Sequence, residues 1–392
     1  MSSQNKRIMS QLHRFKQMVD GYSQAQPLSV YLSAYFRENK QMGSKDRRQA
    51  SRWIYHLFRI GGALGEDSSM EDRLCCAEFL CAEESDLLSV LYPELMPYLA
   101  LTKQEKLEMA CSRFGFQADR IFPFRERLSA SIDSTAFVEN HLGQPYLFIR
   151  VLPDDKAYVV SILREKGIAF DEWALETLVL ANGAPLDQIR EIQGKFQVQD
   201  YSSQQTHRFF GAKAGERWWD ACAASGGKSL LLKQKVPTVN LLVSDVRASI
   251  LRNLDERFEK VGISDYRKKL LDLTKDISHI LGNERFDGII VDAPCSGSGT
   301  WARTPEMMSS FSIQQLKHFV QLQRQIVAHA VPYLKKGCPL IYITCSAYAD
   351  ENELQVAHFE EHLGLHVDHM EVLKGYQHHA DTMFVARMVN KV

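Results

Sequence analysis

Two cysteines in the last third of the chain lie where side chains could do chemistry. Cys295 follows an Asp-Ala-Pro triplet at the end of one apolar run, and Cys345 lies in a Thr-Cys-Ser triplet at the end of another. A thiolate is the strongest nucleophile that side chains offer near neutral pH, and the N-terminus of a following helix can lower the pKa of a thiol. One cysteine after a strand is usually a small buried residue. Two of them, one near an acid and a proline, predict a reactive site.

A loop rich in small residues precedes both cysteines. Residues 220–229 read Asp-Ala-Cys-Ala-Ala-Ser-Gly-Gly-Lys-Ser, so the backbone can come close to a ligand, and the next helix offers free N–H groups to its polar part. The loop is neither a Walker A motif nor a G-x-G-x-x-G fingerprint, which disfavours a nucleoside triphosphate or a dinucleotide. We expect Lys228 and Asp292 to project into one space, where they can hold and protonate a polar ring.

Two further acids follow predicted strands. Asp245 ends the run 241–244, and Asp272 follows a Leu-Leu pair. An acid after the second strand of a β-α-β unit can accept hydrogen bonds from ribose hydroxyls, and Asp272 could accept one from an adenine amino group. Either acid alone is more often a helix cap or a surface group, but their succession predicts an adenosine-type pocket. Cys222 and Cys338 are expected to be structural.

Alternating strands and helices must position these groups. The predicted strands are 217–219, 239–244, 270–273, 286–291 and 339–344, separated by helix-length segments such as 247–261 and 313–334. Mostly apolar strands that alternate with helices predict a parallel, doubly wound sheet. Ligands of such sheets bind outside the carboxyl ends of the strands, and each residue named above follows such an end.

The first 140 residues are predicted to be helical and carry uneven charge. Residues 1–60 contain 11 Lys or Arg and 3 acids, whereas residues 61–100 contain 1 Arg and 9 acids. After Ser44 as N-cap, apolar residues recur at helical spacing as far as Phe58. Arg48, Arg52 and Arg59 fall on the opposite face, which is either a phosphate-contacting surface or an ordinary solvated one.

Residues 144–200 are predicted to form a small α+β module with β-α-β units. Tyr146–Leu152 is rich in strand formers, Asp154–Lys166 has helical spacing, and 168–170 begins another extended piece. A second helix is predicted over Trp173–Leu180. No aromatic signature of RNA stacking is recognisable in this module.

The composition indicates an ordinary globular protein of two or three domains. The chain has 392 residues, of which 45% are hydrophobic and 24% are charged. No long uncharged apolar stretch and no apolar leader are present, so we expect a cytoplasmic protein without a signal peptide. The 8 cysteines show no paired C-x-x-C spacing, which argues against a zinc site and a disulfide framework. Cys75, Cys76 and Cys81 lie in an apolar stripe and are expected in the core.

Taken together, the motifs resemble the RNA (cytosine-5) methyltransferases of the RsmB/NOL/NSUN family, and among them the RsmB-type enzymes of 16S rRNA. The family's D-x-C-A-A-P-G-G-K-T is similar to residues 220–229, and its D-A-P-C-S-G-x-G-x-x-R-x-x-P is similar to residues 292–305. Its T-C-S with a downstream E-N-E is similar to residues 344–353. The segments 198–204 and 379–386 are also similar, so the resemblance spans residues 194–392.

The resemblance implies a chemistry for each motif. Cys345 would add to carbon 6 of a cytosine, which makes carbon 5 nucleophilic enough to take a methyl group from S-adenosylmethionine, and Cys295 would assist release of the RNA. Asp292 and Lys228 would bind the edge of an unstacked cytosine. No metal is implied. The implied cofactor residues are Cys222, Ala223, Ala224, Ser225, Gly226, Gly227, Lys228, Asp245, Asp272 and Asp292.

The resemblance also implies a domain order and RNA contacts. Residues 1–140 would be a helical NusB-like RNA-binding domain, 141–200 a small ferredoxin-like α+β module, and 201–392 a Rossmann-like methyltransferase domain. The partner would be RNA, in particular 16S rRNA, free or in an assembling small subunit, and the chain would act as a monomer without a membrane. The implied RNA contacts are Lys45, Arg47, Arg48, Arg52, Arg59 and Arg303.

The sequence departs from the family pattern at two places. Ser225 stands where the family usually has proline, so the cofactor loop is expected to be less rigid and to bind less tightly. The small module reads Arg150-Val151-Leu152 and lacks the asparagine of the family's R-x-N, which puts any contact carried over to that asparagine in doubt.

Other functions stay open at this point. The same fold could serve a non-catalytic RNA-binding factor of ribosome assembly, and the same chemistry could act on transfer RNA. A DNA enzyme is disfavoured, because DNA cytosine-5 methyltransferases attack with the Pro-Cys cysteine and have no need of Cys345.

Overall fold

The computed structural model describes residues 3–65 and 67–391 of the chain, which forms two compact units. The first unit comprises the chain up to Glu126 together with Asp133–Gln144 and Trp301–Ser312. The second unit comprises Arg127–Ile132, Pro145–Thr300 and the chain from Ile313 onward.

The helices and strands are numbered here in chain order. The α-helices are α1 (Ser3–Asp20), α2 (Leu28–Glu38), α3 (Ser44–Arg59), α4 (Met70–Cys81), α5 (Asp86–Leu91), α6 (Lys103–Phe114), α7 (Ser134–His141), α8 (Pro153–Glu165), α9 (Tyr201–Gln205), α10 (Gly227–Lys235), α11 (Ala248–Glu259), α12 (Ser278–Leu281), α13 (Glu306–Ser310), α14 (Ile313–Ala330) and α15 (Glu353–Leu363). The strands are β1 (Leu147–Val151), β2 (Phe170–Ala174), β3 (Thr177–Leu180), β4 (Phe196–Val198), β5 (Arg217–Asp220), β6 (Asn240–Asp245), β7 (Tyr266–Leu270), β8 (Gly288–Asp292), β9 (Pro339–Thr344), β10 (Leu365–Leu373) and β11 (Met383–Asn390). Within the described ranges, no helix is long and apolar enough to cross a membrane.

The first unit is helical, as predicted, with α3 packed against α1, α4 and α13. The apolar stripe of α3 buries Trp53 and Ile54 almost completely, because residues three and four apart share one face of a helix. The predicted N-cap is one residue off, since Gly43 caps the helix and Ser44 is its first residue. Cys75 and Cys76 are buried in α4, in agreement with their predicted core position.

Arg59, at the end of α3, does not lie on the solvent face as predicted. Its side chain is buried, and its guanidinium donates to the carbonyl oxygens of His141, Gly143 and Ala302, all within the first unit, and to the Gln144 side chain. The helical pattern placed Arg59 opposite the apolar stripe correctly. The prediction was wrong because backbone carbonyls of other segments cover that end of the helix.

The second unit contains a four-stranded sheet of order β2-β3-β1-β4, with α8 packed on β1. Neighbouring strands are antiparallel, so β1 and β2 run parallel with β3 between them, and β1-α8-β2 is a split form of the predicted β-α-β unit. The predicted helix over Trp173–Leu180 is wrong, because that stretch forms the end of β2, a turn and β3. All residues of β3 are buried, and a continuous apolar run of this length does not distinguish a buried strand from a helix.

The larger sheet of the second unit has the order β10-β11-β9-β8-β5-β6-β7. The five strands β9, β8, β5, β6 and β7 are parallel, which confirms the predicted Rossmann-like α/β fold. The prediction missed β10 and β11, which add an antiparallel pair beside β9. It also placed the third strand four residues late, because β7 is a charged edge strand, Tyr-Arg-Lys-Lys-Leu, without the expected apolar pattern.

Candidate active site

The carboxyl ends of four adjacent parallel strands carry the groups that the sequence singled out. Asp220 ends β5, Asp245 ends β6, Asp292 ends β8, and Cys345 directly follows β9. The order in which the chain adds strands changes direction between β5 and β8, in the middle of the sheet. Open α/β sheets bind their ligands at such a switch point. The predicted clustering at one edge of the sheet is therefore present.

The two cysteines face each other. The Sγ atoms of Cys295 and Cys345 lie 3.2 Å apart, close enough for one thiol to donate to the other and too far apart for a covalent bond. The hydrogen bond to Cys345, together with burial, raises the pKa of Cys295 well above its usual range. Cys295 therefore keeps its proton at neutral pH.

Backbone hydrogen bonds keep the two cysteine loops in register. The Ala293 N–H donates to the Ile343 carbonyl, and the Gly299 N–H donates to the carbonyl of Cys345 itself, each at 2.9 Å. A Cβ atom at Gly299 would lie 2.0 Å from the Thr382 carbonyl oxygen, so this position accepts only glycine without a backbone shift. Main-chain contacts on both sides thus hold the two cysteine loops beside each other.

Lys228 and Asp292 share one space, as the sequence predicted. The Lys228 ammonium donates to Asp292 Oδ2 at 3.1 Å and to the Ser203 hydroxyl at 2.9 Å. Lys228 is buried, whereas the Asp292 side chain is 31% exposed. Asp292 therefore presents a free edge of its carboxylate while the buried ammonium compensates its charge.

The loop before α10 has the tight geometry expected of a ligand-binding turn. Ala224 and Gly226 have φ angles of +46° and +82°, and a Cβ atom at Gly226 would lie 2.8 Å from Leu254 Cγ. The loop is tied to β6, because the Ala224 N–H donates to Asp245 Oδ2 at 3.1 Å. Gly226 caps α10 without a side-chain bond to its first turn, so backbone N–H groups face the loop. This arrangement suits a ligand with a small polar or anionic group.

The two predicted ribose and adenine acceptors differ in their surroundings. The Asp245 carboxylate is buried and accepts from the backbone N–H and the guanidinium of Arg247, at 2.9 Å and 3.1 Å. A ribose hydroxyl would have to displace that guanidinium, which is itself 60% exposed. Asp272 lies two residues beyond the end of β7, in its own turn, where Oδ1 accepts from the Thr274 N–H and hydroxyl. It does not end a strand as predicted.

Asp220 is a fully buried acid with an incomplete set of partners. Oδ2 accepts from the Ser229 hydroxyl at 2.5 Å, whereas Oδ1 has no hydrogen-bond partner. Burial raises the pKa of Asp220 to about 7. The cysteines predicted to be structural, Cys222 and Cys338, are partly buried, and burial raises the pKa of both thiols.

The predicted RNA-contacting cations differ in their exposure and in their partners. Lys45 and Arg48 are exposed on α3, and Arg47 is half-buried with its Nε–H donating to the Met42 carbonyl. Arg52 and His56 both pair with the buried carboxylate of Glu78. Arg303 is half-buried in the first unit. Arg59, as described above, is buried and contacts carbonyl oxygens.

Sequence reasoning missed the polar residues that hold the site in place. Ser203 bonds Lys228, and Gln199 bonds both Ser203 and Arg150. Glu351 bonds the residue that follows each cysteine. Two signals were available in the sequence, the stretch 198–204 and the triplet Glu-Asn-Glu at 351–353. In the sequence, both indicate only a resemblance to the family.

Comparison with known proteins finds a family model that is similar to part of the chain. The model of the family described as 16S rRNA methyltransferase RsmB/F matches residues 209–389. All four strand ends described above, with Asp220, Asp245, Asp292 and Cys345, fall inside the matched segment.

One relative to which this chain is similar is a ribosomal RNA small subunit methyltransferase B from Enterobacter sp. (strain 638). It is 29% identical over 230 residues, which are 57% of this chain and 53% of the relative. The chain thus spans about half the length of the curated relatives that it matches.

Two solved structures share the fold. One, described as PH0851, has a TM-score of 0.70 at 19% identity and covers 92% of this chain and 94% of its own. The other, described as NSun6 from Pyrococcus horikoshii with SFG, has a TM-score of 0.60 at 16% identity and covers 68% of this chain and 96% of its own. Identities this low support the arrangement of helices and strands alone.

Proposed function

We propose that the chain is an S-adenosylmethionine-dependent RNA methyltransferase that modifies carbon 5 of a cytosine in small-subunit ribosomal RNA. The observation that carries this proposal is the pair of thiols, Cys295 and Cys345, 3.2 Å apart at the ends of neighbouring strands. A single cysteine suffices to form an adduct, and a second thiol in contact with it supports a separate release step.

Cys345 is the proposed nucleophile. Its thiolate adds to carbon 6, the electron pair of the 5,6 double bond moves to carbon 5, and carbon 5 becomes able to accept a methyl group. Release then requires loss of the carbon 5 proton, return of the electrons to the double bond and cleavage of the bond to Cys345 Sγ. Cys295, whose sulfur faces that bond, is the proposed residue for assisting proton loss.

Lys228 and Asp292 are the proposed contacts to the cytosine edge. Asp292 can accept from the exocyclic amino group, and Lys228, which donates to Asp292 at 3.1 Å, supplies the positive charge that favours electron density on the ring. The base must leave its stack to reach them. The sheet edge is shared with the adenosine-type pocket, so both ligands can approach from one side.

The cofactor residues fit S-adenosylmethionine in their chemistry. The tight loop from Cys222 to Lys228 offers backbone N–H groups, and Asp245 offers a carboxylate once Arg247 moves aside. Asp292 ends β8, and Asp272 lies two residues beyond the end of β7. When bound, the cofactor supplies an electrophilic methyl group. Ser225, in place of the family proline, leaves the loop one rotatable φ angle more than proline would.

The first unit, in which Lys45 and Arg48 are exposed, is the proposed RNA-binding part. We also propose three domains, with boundaries at about residues 140 and 200. The names of the relatives support small-subunit ribosomal RNA as the substrate class. Monomeric action is proposed with it. Transfer RNA is the alternative substrate that the experiment must separate.

The test is methylation with labelled S-adenosylmethionine and either 16S rRNA, small-subunit particles or transfer RNA. We expect label at cytosine carbon 5 of the ribosomal RNA, no activity with Cys345→Ala, and normal activity with Cys111→Ala, which alters an exposed free cysteine. Full activity of Cys345→Ala would overturn the nucleophile assignment. Failure to bind S-adenosylmethionine in calorimetry would instead favour a non-catalytic assembly factor.

A further inference from the structure

A buried carboxylate connects the two loops that carry the cysteines. Glu351 is fully buried, and its Oε2 accepts from the hydroxyls of Ser296 and Ser346, each at 2.5 Å. Its Oε1 accepts from the Ser296 N–H at 2.9 Å. Ser296 directly follows Cys295, and Ser346 directly follows Cys345. One side chain thus bonds the immediate neighbours of both thiols.

Further polar groups complete the same network. Gln323 of α14 donates from Nε2 to Glu351 Oε1 and to the Pro294 carbonyl, each at 3.0 Å. The Ser298 hydroxyl lies 3.1 Å from that of Ser346 and accepts from the Ala347 N–H at 2.8 Å. Each loop is therefore bonded to Glu351 directly and to the other loop through hydroxyl groups.

The donors that the structure gives this carboxylate are a backbone N–H, two hydroxyls and an amide. All are neutral, although a buried carboxylate is usually paired with a cation. Burial accordingly raises the pKa of Glu351. An apolar residue would fill the same space without the cost of burying a charge, so the presence of an acid here points to a geometric task rather than to stability.

We propose that Glu351 is a positioning residue that sets the separation of Cys295 and Cys345. The inference rests on the proposed function for its consequence in catalysis, but the separation of the thiols can be measured without any reaction. The side-chain hydrogen bonds that the structure gives Glu351 go to Ser296, Ser346 and Gln323 and not to either thiol, so Glu351 acts through the loops rather than on a reacting atom.

The geometric test uses phenylarsine oxide, whose trivalent arsenic binds two adjacent thiols. We expect the wild-type protein to bind it through Cys295 and Cys345, shown by mass spectrometry and by protection from alkylation. Glu351→Ala should bind it at least tenfold more weakly, and the exposed Glu361→Gln should match the wild type. Equal binding by Glu351→Ala and wild type would overturn the proposal.

The catalytic test separates positioning from folding. A displacement of about 1 Å costs about 100-fold in rate, so Glu351→Ala should lower kcat by that order while the KM for S-adenosylmethionine stays within about twofold. Glu351→Gln keeps the shape and most of the hydrogen bonds and should recover most of the kcat. A parallel rise in the cofactor KM, or no recovery by Gln, would contradict a positioning role.

Two arrangements keep the result interpretable. If Glu351→Ala does not fold, Ser346→Ala removes one bond to the carboxylate and should weaken arsenical binding in the same direction; unchanged binding in Ser346→Ala would then count against the proposal. If the wild type binds the arsenical but transfers no methyl group, the proposed function fails while the role of Glu351 in thiol geometry stands.

Discussion

Cys295 Sγ lies 3.2 Å from Cys345 Sγ, so a change at the sulfur of Cys345 alters the surroundings of Cys295. The hydrogen bond to Cys345 is the largest cause of the raised pKa of Cys295. In the proposed mechanism the adduct converts the Cys345 thiol to a thioether, which accepts hydrogen bonds only weakly, so the largest cause of the raised pKa weakens while burial remains. Cys295 can then lose its own proton to solvent more easily, and we propose that the resulting thiolate accepts the carbon 5 proton during release.

The first prediction concerns that order. Cys295→Ala should still form the bond between Cys345 and RNA but release it slowly, so a covalent protein–RNA band should accumulate on a denaturing gel. The double variant lacking both cysteines should give no band, and Cys111→Ala should behave as the wild type. A Cys295→Ala variant that turns over at the wild-type rate without a band would contradict the release role.

The second prediction concerns the pair of Lys228 and Asp292. Asp292→Asn removes the charge facing the base while keeping the shape, and we expect kcat to fall by about 10²- to 10⁴-fold, the range of a lost acid–base or electrostatic contribution. Ser203→Ala removes only one of the two acceptors of the Lys228 ammonium and should cost much less. Both are measured by initial rates of methyl transfer at saturating RNA. Equal losses in the two variants would contradict this assignment of roles.

The candidate active site could be predicted because its residues follow strands whose apolar pattern is clear. Asp220, Asp245, Asp292 and Cys345 all stand at or directly after a strand end, and parallel strands bring such ends together. The prediction misplaced Asp272 because β7 has a charged sequence, which obscures where that strand ends.

The residues that support the site could not be predicted in this way. Glu351 acquires its role from burial and from serines 55 and 5 positions away in the chain, and no local pattern encodes such contacts. Arg59 was assigned to solvent because periodicity gives the face of a helix and not what covers that face. The helix predicted over Trp173–Leu180 is wrong because a short buried run fits either a strand or a helix.

The third prediction separates Arg59 from the exposed cations of α3. Arg59→Ala removes hydrogen bonds from a buried guanidinium to three carbonyl oxygens, each worth about 1.5–3 kcal/mol, so the free energy of unfolding should fall by roughly 3 kcal/mol or more. Lys45→Ala and Arg48→Ala should leave stability nearly unchanged. Chemical denaturation checks both expectations.

The same exposed cations allow a fourth prediction, about RNA affinity. If α3 contacts phosphates, Lys45→Ala and Arg48→Ala should each weaken binding and reduce the slope of log affinity against log salt by about 1. Filter binding of 16S rRNA fragments over a range of salt concentrations measures this slope. Lys336, an exposed cation of the second unit, provides the control. Unchanged slopes would assign the cationic face of α3 to solvent.

The fifth prediction concerns pH and Asp220. Burial raises its pKa from 3.8 to about 7 in the folded chain, so folding favours the protonated acid. The associated stability is fully present below about pH 4, falls as the pH rises, and is lost above about pH 7. Asp220→Asn mimics the protonated form and keeps an acceptor for Ser229. Its free energy of unfolding should therefore exceed that of the wild type increasingly from pH 5 to pH 8, by at most about 4 kcal/mol.

Denaturant titrations followed by fluorescence of the buried Trp218 and Trp219 measure this difference in the free energy of unfolding. The exposed Asp187→Asn should show no such trend, and a pH-independent difference for Asp220→Asn would mean that Asp220 folds in its ionised form.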